Sequence, residues 1–77
     1  MNGKQLEKWT TENGITETAT FYANKIDYFF ATLPDGWIAV FENNNGDYVP
    51  LIQAADRAHA ESYCVLREPL TVPVQRI

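Results

Sequence analysis

His59 and Cys64 are the side chains in this 77-residue sequence with the chemistry to abstract a proton or attack an electrophile, and neither has the company such work needs. A general base must hold a nucleophile within hydrogen-bond reach and be oriented in turn by a third group. On a helix, neighbours lie three or four residues apart, so Glu61, two positions from His59, faces elsewhere, and Cys64, five positions on, is only loosely adjacent. Cys64 would need a cation or a helix N-terminus to lower its pKa; late in its helix and on the inward stripe, it reads as a small hydrophobe. The acids Glu12 and Glu17, or Asp27 and Asp35, lie across turns that give them no reason to converge as a hydrolytic pair. One histidine, one cysteine and scattered carboxylates offer no zinc-ligand spacing, and no calcium-loop pattern follows Asp35 or Asp47. Gly3, Gly14, Gly36 and Gly46 fall at helix ends and turns rather than in a phosphate-binding loop. The expectation is a protein that is not an enzyme and takes no cofactor and no metal.

Length and charge narrow the class further. Seventy-seven residues make a single domain near the size at which one core only just outweighs chain entropy, which makes a homodimer a natural expectation. With 45% hydrophobic and 21% charged residues the chain is globular rather than disordered. A single cysteine excludes an intramolecular disulfide and fits a reducing compartment, and the first residues lack the apolar stretch of a signal peptide, so a cytoplasmic location without membrane association is expected. The net charge of −4 arises entirely within residues 1–48, where Lys4, Lys8 and Lys25 face seven acids. No basic cluster exists to displace counterions, so direct binding to DNA or RNA is not expected.

The elements can be placed from local signals. Asn2 and Gln5 have capping-box spacing, Leu6 and Trp9 share a helical face, and Asn13-Gly14 with Ile15 supplies a stop, which gives a helix over about residues 3–13. From Ile15 to Ala23 apolar and polar residues alternate as in a half-buried strand. Tyr22, Ile26, Phe29, Phe30 and Leu33 also fall at helical spacing, so a single helix over 18–33 is the rival; the richness in Thr, Phe and Tyr favours strands. Pro34-Asp35-Gly36 joins a strand over Ile26–Leu33 to one over Trp37–Glu42, and Asn43-Asn44-Asn45-Gly46 turns into a third at Asp47–Gln53. Pro50, without an N–H, makes that last strand an edge or puts a bulge in it. Asp56 caps a second helix over Arg57–Arg67 whose inward stripe is Ala60, Tyr63 and Cys64, with Leu66 at its margin; Pro69 ends it. Leu70, Val72 and Val74 then alternate with polar residues in a short strand or extended tail. The fold class is α+β, a mainly antiparallel sheet of four to five strands with two helices on one face, in the order α-β-β-β-β-α-β, the strand order in the sheet left open.

The functional signal is aromatic. Nine of the ten aromatic residues lie between Trp9 and Tyr48. Strand parity puts Tyr28 and Phe30 on one face and Phe29 on the other, so both faces of the sheet carry large apolar groups. If helices cover only one face, the other is left for a partner, since Tyr and Trp dominate binding hot spots; if they cover more, the rings are core. The leading expectation is a protein–protein interaction module or homodimer docking through Tyr22, Tyr28, Phe30, Trp37 and Tyr48, rimmed by Asp27, Glu42 and Asp47. The alternative is a small acidic inhibitor, encoded by a phage or other mobile element, whose carboxylates imitate nucleic-acid phosphates in a basic groove. A minor enzyme subunit or a dimer serving stability alone is a third.

Overall fold

The computed structural model describes residues 1–67 and 75–77. Helix α1 spans Gly3–Glu12 and is followed by four strands, β1 (Thr18–Ala23), β2 (Ile26–Thr32), β3 (Ile38–Asn44) and β4 (Asp47–Ala54). Helix α2 spans Arg57–Leu66, and a two-residue run, β5 (Gln75–Arg76), comes last. The α+β class and the expected order of two helices and four antiparallel strands hold. The strand or tail expected over 70–75 lies outside the described residues except at Gln75.

Each boundary has a local cause. At the start of α1 the Asn2 side chain accepts from the Gln5 N–H while the Gln5 side chain accepts from the Asn2 N–H, both at 2.8 Å. At its end Gly14 takes φ +67°, which lets the Ile15 N–H reach the Thr10 carbonyl at 2.9 Å and the Gly14 N–H the Thr11 carbonyl at 3.3 Å. Both two-residue hairpin loops need positive φ twice: Asn45 and Gly46 supply it between β3 and β4, Asn24 and Lys25 between β1 and β2. Because Lys25 is not a glycine, that turn carries no obvious sequence signal. It replaces the rival helix over 18–33.

The strands pair in the order β1-β2-β3-β4-β5, antiparallel except for β5, which lies parallel to β4 beside Ile52 and Gln53. The Pro50 expectation is met by a bulge: Phe41 pairs with Pro50 and Val40 with Ile52, so Leu51 is the extra residue and the missing N–H interrupts no regular ladder.

The helices do not share a face. Ala60, Tyr63 and Cys64 of α2 pack on Tyr28, Phe30, Ile38, Val40, Ile52 and Ala54. Leu6 of α1, with Trp9 against it, packs on Ala31, Ala39 and Phe41. Phe30 and Ala31 are consecutive strand residues and therefore point to opposite sides, so the sheet is sandwiched. The expected one-sided cover is corrected for a plain reason. Two-faced apolar strands leave two surfaces to bury, and full burial of each large side chain is worth roughly 2 to 3 kcal/mol. Among the described residues no helix is long and apolar enough to cross a membrane.

Candidate functional site

Of the aromatic residues that parity assigned to a docking face, two are core. Tyr28 is 1% exposed and Phe30 2%, both beneath α2, with the Arg57 guanidinium 5.0 Å over the Phe30 ring. Neither can meet a partner in this fold, which corrects their assignment as contact residues. Glu42 lies on the same covered face, where Arg67 reaches it at 3.2 Å, so it is not a rim of the opposite one. Trp37 sits at the far end of the sheet, half-buried, with the Arg76 guanidinium 4.5 Å over its ring. Arg76 also donates to Asp35 at 3.0 Å.

The remaining candidates do come together. Tyr22 pairs with Asp27 across β1 and β2, Asp27 with Asn43 across β2 and β3, and Asn43 with Tyr48 across β3 and β4, forming one row straight across the sheet on the α1 side. The strand residues clustered with Leu6 and Trp9 of α1 come from β2, β3 and β4, and among the described residues none comes from β1, so the cover ends before it reaches β1. At the uncovered corner Tyr22 is 66% exposed, the largest exposure of any bulky apolar residue described, and Thr18, Thr20 and Asp27 are exposed beside it. Inward along the row, Phe29 and Tyr48 meet edge to face with centroids 5.8 Å apart and are half-buried, which gives the corner a firm apolar floor. The Met1 α-amine donates to Asp47 and to the Tyr48 carbonyl, each at 3.0 Å, and pins the far end of the row. An open polar cleft of about 400 Å³ adjoins it, lined by Lys25, Ile26, Asp27, Glu42 and Asn43 to Asn45.

The groups with intrinsic reactivity are placed for structure. Burial pushes the Cys64 thiol up to about 12, so it is a packed, protonated side chain under the sheet. His59 Nδ1 lies 2.8 Å from Asp56 Oδ1, and the same oxygen accepts from the His59 N–H to cap α2. The backbone N–H and then the imidazole of His59 hold the Asp56 carboxyl below its usual value. Among the described residues no hydroxyl or thiol hydrogen-bonds to this exposed pair, and no group of three or more His, Cys, Asp or Glu side chains is arranged to hold a metal ion.

One feature the sequence reading missed is Arg67. It ends α2 in the left-handed region (φ 47°, ψ 52°), donates to the Tyr28 hydroxyl at 2.9 Å and to Glu42, and lies 5.7 and 5.9 Å over the Tyr28 and Tyr63 rings. Burial raises the Tyr28 and Tyr63 pKa values, while the guanidinium beside them acts in the opposite sense. Asn24, in its positive-φ turn, donates to the Cys64 and Val65 carbonyls at 3.0 and 2.7 Å and closes the same helix end. Comparison with protein-family models, with curated proteins and with solved structures finds no match.

Proposed function

We propose that this chain is a non-enzymatic protein-interaction module whose contact surface is the open corner of the sheet on the α1 side: Tyr22 and Asp27, continued inward by Tyr48 with Asp47 at its border. The observation that carries the reading is the ring of Tyr22, left in water at the open end of a sheet row that becomes half-buried at Asn43 and Tyr48. A Tyr on a rigid strand beside a carboxylate that is in no ion pair among the described residues offers an apolar body, a hydroxyl and a charge at little entropic cost, which is the make-up of an interface anchor. Asp27, with Asn43 beside it accepting from the Gly46 N–H at 2.8 Å, suits a partner with a basic rim.

A surface of phosphate-imitating carboxylates fits less well. Glu12, Asp35, Glu42, Asp47 and Glu61 each hold a cation at 3.8 Å or less, so much of the acidity is spent within the molecule. The buried free thiol suits a reducing compartment.

The test is quantitative affinity capture with the wild-type chain, with Asp27→Lys/Tyr48→Ala, and with Lys8→Glu on the exposed face of α1 as control, repeated at low and high salt. The reading requires a partner kept by wild type and control, lost with the double variant, and retained at about 0.5 M salt, where exposed ion pairs are screened. A partner kept by the double variant, or one released by salt alone, would remove it.

A further inference from the structure

We infer that the outer edge of β1 pairs antiparallel with β1 of a second copy, joining two sheets into one across a two-fold axis. The edge is defined by the ladder: the Thr32 N–H donates to the Glu17 carbonyl at 3.0 Å, which makes Glu17–Thr32 a hydrogen-bonded pair in the register Thr18↔Ala31 to Ala23↔Ile26. Hydrogen-bonded and non-bonded pairs alternate, so Ala19, Phe21 and Ala23 bond inward to β2, while Thr18, Thr20 and Tyr22 turn their N–H and C=O groups outward. Among the described residues nothing pairs with that side. Exposed edges are ordinarily blunted by Lys, Pro, a bulge or an inward charge, and Thr18–Ala23 has none of these. At the other end of the sheet β4 carries both a bulge and Pro50 and pairs with β5 at Ile52 and Gln53, so among the described residues the undefended edge is β1.

The occupant follows from charge and symmetry. Glu17 precedes the strand and Lys25 follows it, and among the described residues neither is in an ion pair. In an antiparallel pair with Phe21 on the axis, Glu17 of each copy comes to the end that carries Lys25 of the other, so opposite charges meet twice. A parallel arrangement would set like beside like. The same register places Thr20 opposite Tyr22 for main-chain bonding, Phe21 against Phe21 and Ala19 against Ala23 on the α2 side. Two half-buried Phe21 rings, each stacked 5.7 Å from Phe30, close the seam over the core. This inference rests on the main chain of the β1 edge, to which Tyr22 contributes its backbone, whereas the surface proposed above is the sheet face that carries the Tyr22 ring, Asp27 and Tyr48.

Sedimentation velocity from about 10 μM to about 1 mM, a range covering weak to moderate self-association, tests it. Wild type should move from monomer to dimer. Thr20→Pro removes an outward N–H and leaves the ladder to β2 intact; it should stay monomeric throughout while keeping the wild-type circular dichroism. Should that variant fail to fold, Thr20→Lys serves the same purpose without touching the backbone. Glu17→Lys and Lys25→Glu should each weaken dimerisation by about five- to tenfold, the scale of two exposed ion pairs turned repulsive, and the double exchange should restore it. Asp27→Lys/Tyr48→Ala should dimerise normally, which separates this edge from the docking corner. A wild type that is monomeric at every concentration, a Thr20→Lys variant that still dimerises, or a charge exchange without rescue would overturn the inference.

Discussion

Replacing Arg67 by Ala and, separately, by Gly takes apart the joint that holds α2 to the sheet, and the two variants should differ in a direction that only the observed backbone explains. Both remove the bond to the Tyr28 hydroxyl, worth about 1 kcal/mol. Both also remove a partly exposed ion pair to Glu42 worth about 0.5 kcal/mol and a cation over two rings worth about 0.5 to 1 kcal/mol. Arg67→Ala should therefore lose about 2 to 2.5 kcal/mol. Arg67→Gly loses the same contacts but relieves the left-handed conformation at φ 47°, which costs a residue with a Cβ about 1 kcal/mol, so it should lie about 1 kcal/mol above the Ala variant. A domain of this length has about 4 to 10 kcal/mol in all, so both effects fall within reach of urea unfolding followed by tryptophan fluorescence. An Ala variant within about 0.5 kcal/mol of wild type would show the joint to be ornamental, and a Gly variant less stable than Ala would refute the left-handed helix end.

Other consequences are smaller or simpler. Lys25→Gly should raise stability by about 1 kcal/mol, or roughly 4 to 8 °C in Tm, because the hairpin position at φ 63° favours a residue without Cβ; calorimetry reads it directly. The Cys64 thiol, pushed up to about 12 from its ordinary 9.0, should resist alkylation at pH 8 at all but the rate of unfolding. Its sign at high pH is destabilising: between the unfolded and folded values only the unfolded chain ionises, so stability should fall as pH rises above about 9, and Cys64→Ser should flatten that part of the profile. Asp56 works the other way. Its folded pKa is depressed by the His59 N–H, so its contribution is present above the ordinary carboxylate value and is lost as pH falls through the folded one; Asp56→Asn keeps the cap and should lessen the acid-side decline.

What could be read from residues alone was what short-range chemistry decides. The Asn2–Gln5 box, the Asn13-Gly14-Ile15 stop, the Asp35-Gly36 and Asn45-Gly46 turns and the Pro50 bulge each depend on two or three adjacent residues, and each lies where those residues put it. The side on which each helix packs depends on long-range contacts instead. Leu6 and Trp9 of α1 read as an apolar stripe just as Ala60, Tyr63 and Cys64 of α2 do, and nothing in either stripe names a sheet face. Parity correctly gave two apolar faces; the step from there to an uncovered one failed for Tyr28 and Phe30, because two helices on a four-stranded sheet suffice to cover most of both. What they leave is the corner at Tyr22, where β1 projects past α1. The Asn24-Lys25 hairpin and the Arg67 helix end stayed hidden because in both an ordinary side chain occupies a conformation that Gly would announce.

The central claim is that this corner, and not α1's outer face, is where the protein meets its partner, and site-specific photo-crosslinking in the cells that make it tests that most directly. With a benzophenone amino acid in place of Asp27, and in place of Lys8 as control, the account predicts a discrete adduct to one other protein from position 27 and none from position 8. Adducts of equal strength from both positions, or none from position 27, would contradict it.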